Sequence, residues 1–323
     1  FFSMGSKPKR GQITLESGKE YSIKVEYKWE GRFPAVQIGM LAPDDHDLMD
    51  AAVALAQKSD ATILIVGTNS DWETEGNDRD SLQLPLRQNE LIEKVCTANK
   101  NTVVVLNTGA PCEMPWNDQV DAILQCWFPG QEFGNSLADI IFGDVNPSGK
   151  LPTTFPVKLE DTPAYSTYPG KDLQMDYQEG LYIGYRWYEK EKIVPLYPFG
   201  HGLSYTTFDY SNVRAIPPKG TSSVAAFELE ITNTGSTEGK EVIQCYSSVQ
   251  NSKVDRPLKE LKKFQKINLD PGESKKISFE VNERDLSYWN EETKTWQVEP
   301  AQYVFEFGSS SSDIRGSAEV WLG

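Results

Sequence analysis

The chain predicts a multi-domain molecule: a parallel-sheet α/β sandwich, then an antiparallel β-sandwich of immunoglobulin or fibronectin scale, with a short β-domain remnant ahead of both. Three observations carry this. From Pro43 to Phe142, short runs that are apolar throughout alternate with stretches of helical periodicity, the pattern of parallel strands covered on both faces. From about residue 207, apolar positions recur at every second residue, with turn signals at sandwich-like intervals. The first 41 or so residues hold only two or three strand-like segments, too few to be stable alone.

The elements follow in order. Tyr21, Ile23 and Val25 alternate within Lys19–Val25, and Phe33–Leu41 is a second strand candidate. Leu48, Ala51, Ala52, Leu55 and Ala56 mark a helix at i, i+3, i+4, i+7, i+8 spacing. Strand Ala61–Val66, a helix around Leu86–Ala98, strand Thr102–Leu106, strand Ala122–Trp127 and a helix over Phe133–Phe142 complete the α/β pattern. Prolines, glycines and tyrosines then crowd residues 144–206; so many aromatics predict an ordered connector rather than a disordered one. In the last unit Phe227/Leu229/Ile231, Ile277/Phe279/Val281 and Tyr303/Phe305/Phe307 alternate. Asn233-Thr234-Gly235, Asp270-Pro271-Gly272 and Asn290-Glu291-Glu292 read as turns, and Ser309–Ser312 as an exposed one. Trp289, Trp296 and Trp321 are scattered and predict core or edge packing. The boundaries expected are 1–41, 42–158, 159–206 and 207–323.

Composition narrows the function. A chain of 323 residues is a prior for two or three domains. The net charge of −15 disfavours nucleic acid and anionic membrane as partners, and suits neutral substrates such as sugars. Acidity is also an ordinary solubility device. Cys96, Cys112, Cys126 and Cys245 lack metal-ligand spacing and read as buried thiols. With only His46 and His201, a His-rich metal site is excluded. No Asn-x-Ser/Thr acceptor occurs, which weighs toward an intracellular or bacterial setting. The opening Phe1-Phe2-Ser3-Met4-Gly5 has neither initiator Met nor signal pattern and reads as internal sequence.

The segment Trp72-Glu73-Thr74-Glu75-Gly76-Asn77-Asp78-Arg79 follows an apolar strand, and open α/β sheets place ligand sites on the loops at the C-terminal ends of their strands. Glu75, beside Gly76, has room for a close neighbour. Two readings stand: a solvated loop carboxylate, or a general acid/base for glycosidic cleavage, which needs a second carboxylate from elsewhere. Asp71, four residues away, is poorly placed to grip the opposite face of a sugar. Asp78-Arg79 reads first as a local ion pair ordering the loop, second as a sugar contact. Gly130-Gln131-Glu132-Phe133-Gly134 reads as a tight turn into a helix rather than an anion site. No phosphate-binding loop, dinucleotide fingerprint or Ser/His/Asp motif is present.

Laid in order, these segments resemble the C-terminal half of glycoside hydrolase family 3 β-glucosidases. The stretches that carry the resemblance are Glu75-Gly76-Asn77-Asp78-Arg79 with Leu82-Gln83-Leu84-Pro85, Asn101–Gly109, Gly130–Gly134 with Ala138-Asp139, and Gly143–Pro152. They continue with Glu179–Tyr188, Pro198–Thr206, Arg256–Lys262 and Leu269–Glu273. The resemblance implies that residues 1–41 end a protective-antigen-type β-sandwich insert and that 207–323 form a fibronectin type III-like domain. It implies that Glu75 is the acid/base of a retaining β-glucosidase, with Trp72, Asp78 and Arg79 near substrate. The nucleophile aspartate belongs to an N-terminal (β/α)8 barrel that this sequence lacks, so the barrel, on the same or a separate chain, and a β-glucoside are the implied partners. A homo-oligomer is compatible with this, and neither metal nor cofactor is required. The alternatives are a non-catalytic carbohydrate-binding or scaffolding fragment, and a family 3 β-xylosidase.

Overall fold

The structure, a computed structural model, describes residues 9, 11–28, 36, 38–40, 48–76 and 78–323. It divides into two compact units, Phe1–Gly109 with Pro115–Trp127, and Ala110–Met114 with Phe128–Gly323.

The first unit is built on a parallel sheet. β1 (Thr62–Gly67), β2 (Thr102–Asn107) and β3 (Ala122–Gln125) lie in the order β1-β2-β3, with Thr62 opposite Thr102 and Val103 opposite Ala122. Helices α1 (Leu48–Lys58) and α2 (Gln88–Ala98) belong to this unit. The apolar runs predict the central strand well: Val104, Val105 and Leu106 of β2 are fully buried, as are Trp116 and Ile92 of α2.

The prediction of a sheet covered on both faces fails at β1. Ile63 is 47% and Ile65 53% exposed, because the face of β1 that carries both has no cover among the described residues. The buried face of α1 is also rotated by one position from the predicted stripe. Met49 and Ala56 are buried and Ala52 and Val53 partly so, while Leu48 and Leu55 stay exposed. The strand expected over Lys19–Val25 does not form: residues 19–28 are exposed and irregular. A strand needs a neighbour to accept its backbone hydrogen bonds, and none lies beside this one among the described residues. The Phe33–Leu41 expectation rests on residues 33–35, 37 and 41, which lie outside the described residues.

The second unit holds α3 (Phe133–Phe142), the aromatic connector and a β-sandwich. Gly130, at φ +77°, makes the tight turn before α3, and Gly143, at φ +82°, caps its end. One sandwich sheet orders β4 (Phe208–Ile216), β5 (Ser223–Asn233) and β8 (Ser274–Asn282) as β4-β5-β8. The other orders β6 (Gly239–Val249), β7 (Glu260–Leu269), β11 (Ala301–Gly308) and β12 (Ile314–Leu322) as β12-β11-β6-β7. The predicted alternations supply the core between them: Phe227, Leu229 and Ile231 of β5 and Phe279 and Val281 of β8 meet Ile243 of β6 and Tyr303, Phe305 and Phe307 of β11. The Phe227 and Phe305 ring centroids are 4.4 Å apart.

The connector is ordered, as its aromatics predict. α4 (Tyr185–Glu191) seats Tyr185 against Tyr246 and Phe199, and the Tyr185 hydroxyl accepts a hydrogen bond from the Leu261 amide at 2.8 Å. This packing overturns the exposed turn expected at Ser309–Ser312. Ser309, Ser310 and Ser311 are buried: the Gln244 side-chain amide donates to the Ser309 carbonyl at 2.6 Å, and the Ser311 amide donates to the Phe199 carbonyl at 2.9 Å. The four cysteines form no disulfide, and three are buried. The tryptophans are less scattered than predicted. Trp289 of β9 (Tyr288–Asn290) and Trp296 of β10 (Thr295–Gln297) face each other on an exposed hairpin, and the Arg284 guanidinium lies 3.2 Å from the Trp296 ring centre.

Under the connector sits a buried polar cluster. Lys150 Nζ lies 3.6 Å from Glu241 Oε1 and donates to the Gly202 carbonyl at 2.8 Å, while the Tyr210 hydroxyl donates to the same Glu241 oxygen at 2.8 Å. His201, stacked on Tyr197, lies beside this cluster; burial, reinforced by the Lys150 charge, holds its imidazole below the usual value of 6.5. The unfolded chain therefore takes up this proton first as pH falls. The His201 contribution to stability is complete above about pH 6.5 and declines as pH falls toward the depressed folded value. Thermal denaturation from pH 7.5 to 5 is expected to show a shallower loss for His201→Gln than for the parent; parallel curves would refute the assignment.

Candidate active site

The loop carrying Glu75 leaves the C-terminal edge of the parallel sheet, and the sequence closes both of its limbs. On the near limb, β1 ends at Gly67, whose amide donates to Gln88 Oε1 at 2.7 Å while Gln88 Nε2 donates to the Gly67 carbonyl at 2.8 Å. The first residue of α2 thus clamps the last of β1. A Cβ at Gly67 would fall 2.1 Å from the Asn107 carbonyl oxygen, so only glycine permits the approach of β1 to β2 at this point. Gly67→Ala is expected to cost about 1–3 kcal/mol through overpacking, read as a lowered urea midpoint of this unit; an unchanged midpoint would show that the strands part easily.

Beyond Gly67, Asn69 builds a turn. Its side-chain oxygen accepts from the Asp71 amide at 2.9 Å, and its carbonyl accepts from the amides of Trp72 and Glu73, both at 2.9 Å. The turn aims Glu73 back across the sheet edge. Glu73 Oε1 accepts from the Thr68 hydroxyl, next to β1, and from the Gly109 amide, just past β2, at 3.1 Å. Arg79 Nη1 lies 4.0 Å from the same oxygen, and both side chains are largely buried. On the far limb, Leu84 is buried, Gln83 Oε1 accepts from Asn89 of α2 at 2.5 Å, and Asn89 accepts from the indole of fully buried Trp116 at 2.9 Å.

Between these anchors Glu75 is exposed and makes no hydrogen bond or ion pair among the described residues. Its carboxylate is free to act on something outside the chain. Trp72 is partly exposed, at 37%, and Asp78 and Asp71 are exposed. Asn77 lies outside the described residues. The ion pair expected between Asp78 and Arg79 is replaced by that of Arg79 with Glu73. Sequence reasoning passed over Glu73 as a mere neighbour of Glu75. The available signal was an acid and a base six residues apart around Gly76, a spacing that a tight turn can close. Among the described residues, no group of three His, Cys, Asp or Glu side chains could hold a metal ion, and no helix is long and apolar enough to cross a membrane.

Residues 6–205 match the glycosyl hydrolase family 3 C-terminal domain, and residues 241–311 a fibronectin type III-like domain. A beta-glucosidase of Kluyveromyces marxianus is 43% identical over 97% of this chain and 38% of its own length. Thermostable beta-glucosidase B of Acetivibrio thermocellus is 44% identical over 84% of this chain and 36% of its own. Among solved structures, the K. marxianus beta-glucosidase in complex with glucose superposes with a TM-score of 0.82 at 43% identity, covering 88% of this chain and 34% of that one. The GH3 beta-glucosidase of Bifidobacterium adolescentis gives 0.82 at 40% identity, covering 88% and 42%. The chain thus spans about two fifths of the length of the relatives it matches.

Proposed function

Because the chain belongs to glycoside hydrolase family 3, we propose that it is the C-terminal portion of a retaining β-glucosidase and that Glu75 is its general acid/base. The observation that carries this is the unencumbered Glu75 carboxylate, held at the C-terminal edge of a parallel sheet on a loop anchored at both limbs. Relatives named beta-glucosidase, about 40% identical and more than twice as long, support the substrate class and a further N-terminal region. The exposed apolar residues Leu48, Leu55, Ile63 and Ile65 also support a covering segment from that region.

The chemistry divides between the two parts. Protonated Glu75 donates its proton to the glycosidic oxygen as a barrel aspartate attacks the anomeric carbon, so the aglycone leaves as the alcohol and a covalent glycosyl-enzyme forms. Glu75, now ionised, takes a proton from water, whose oxygen displaces the aspartate and releases the sugar with its original anomeric configuration. Retention places the two carboxyls about 5–5.5 Å apart. Trp72, partly exposed on the same loop as Glu75, offers a face to the sugar. Asp78 is exposed on the same loop, while Arg79 contributes by ordering that loop. No metal or cofactor is required for this sequence of steps.

The test compares an unactivated with an activated β-glucoside in the Glu75→Gln variant of the barrel-bearing protein. A selective loss on the unactivated substrate supports the reading; equal rates for variant and parent on cellobiose overturn it.

A further inference from the structure

Resting on the acid/base reading of Glu75, we infer that Glu73 is the positioning residue of that acid: its carboxylate sets where the Glu75 loop stands over the sheet edge. Glu73 and Glu75 share a short loop, and a displacement at one is transmitted to the other. One oxygen of Glu73 collects the Thr68 hydroxyl and the Gly109 amide, which come from the ends of two different strands. Thr68 is itself fixed to β2, since its amide donates to the Asn107 carbonyl at 3.1 Å. The ends of β1 and β2 are held together by the ladder, so the oxygen they grip is held in place as well. Arg79, on the other side of Gly76, lies 4.0 Å from the same oxygen, and this ion pair closes the loop into a short ring with Glu75 at its tip.

The ring explains a division of labour between two acids of one type two residues apart. Glu73 is largely buried and spent on hydrogen bonds, whereas Glu75 is exposed and unspent. General acid catalysis depends on placement within hydrogen-bond reach of the leaving oxygen, and a misplacement of about 1 Å costs on the order of 100-fold. Glu73 touches neither substrate nor reacting atom; it acts through Glu75.

The experiment measures kcat and KM of the barrel-bearing protein for an alkyl β-glucoside, whose leaving group needs the acid, and for a dinitrophenyl β-glucoside, whose leaving group does not. Glu73→Ala is expected to lower kcat on the alkyl glucoside by on the order of 10- to 100-fold and on the dinitrophenyl glucoside by only a few-fold, with azide partly restoring turnover of the latter. Glu73→Gln, whose amide oxygen still accepts from Thr68 and Gly109, is expected to restore most of the alkyl-glucoside rate. Thr68→Val removes one donor at nearly constant shape; it should shift the substrate ratio in the same direction by less, and it decides the matter if Glu73→Ala does not fold. A merely structural role would lower both substrates together, and that outcome overturns the inference. Glu75→Gln run in parallel separates the two levels. If it leaves the substrate ratio unchanged, the acid/base reading has failed. If it shifts the ratio and Glu73→Ala and Thr68→Val do not, only the positioning role has failed.

Discussion

Glu75→Gln in the barrel-bearing protein is expected to reduce kcat/KM for cellobiose by about 10²–10⁴-fold, the range in which general acid/base catalysis contributes. The reason is chemical. Glutamine keeps the size and the hydrogen-bonding oxygen of the side chain but cannot give up a proton to the glycosidic oxygen, so a sugar alkoxide would have to leave unprotonated. A dinitrophenolate leaves without that help, and for such substrates glycosylation should be nearly intact. The deficit then moves to the second step, where Glu75 would activate water. Azide needs no deprotonation, so it should trap the glycosyl-enzyme and raise turnover with formation of a β-glucosyl azide. The β configuration of that product tests retention in the same experiment. The Glu75 side chain makes no hydrogen bond or ion pair among the described residues, so the substitution breaks no contact within this chain. A variant that loses activity equally on all substrates, or gives no azide adduct, would place the acid elsewhere.

Phe227→Ala carries the largest expected effect on stability. Phe227 is fully buried between the two sandwich sheets, with Phe305 and Phe307 ring centroids 4.4 and 5.5 Å away. Truncation removes the transfer free energy of the ring and leaves a cavity that two flanking aromatics on a hydrogen-bonded strand cannot collapse to fill, a loss of about 3–5 kcal/mol. Urea unfolding of the sandwich should show a midpoint lowered accordingly at constant slope. Phe264, on β7, is the control: it is 69% exposed, and Phe264→Ala should fall within about 0.5 kcal/mol of the parent. Comparable losses for the two would mean that burial does not decide the energetics of this unit.

The burial of Phe227 and the loop position of Glu75 can both be read from the chain, for related reasons. The alternation of Phe227, Leu229 and Ile231 puts these side chains on one face of a strand whatever that face goes on to pack against, because the period of two is a property of the extended backbone itself. Local periodicity also accounts for the apolar run of β2 and for Phe133, Leu137, Ile140 and Ile141 on one face of α3. A glutamate next to a glycine, between a buried strand and a helix, is likewise a local arrangement, and the family motif around Glu75 is contiguous.

What failed was non-local. Tyr21, Ile23 and Val25 alternate as well as any strand, yet no strand forms there, since a ladder needs a partner that periodicity does not name. Four consecutive serines have the composition of an exposed turn, and Ser309–Ser311 are buried because Gln244 and Phe199, far off in sequence, satisfy their backbone. Of the predicted stripe of α1, Ala56 is buried and Ala52 partly so, but Leu48 and Leu55 stay exposed and Met49, outside the stripe, is buried instead. Glu73 belongs in the same class. Its hydrogen bond to Gly109 joins residues 36 apart, and it arises only because β1 and β2 pair in register so that their C-terminal ends meet. The sequence by itself determined the period of each element and the order of the two kinds of unit, since these are encoded over spans of a few residues. The tertiary structure decided which faces were covered, which serines were buried and which of two neighbouring glutamates was spent on holding the other in place, since each of these depends on groups that only folding brings within hydrogen-bonding distance.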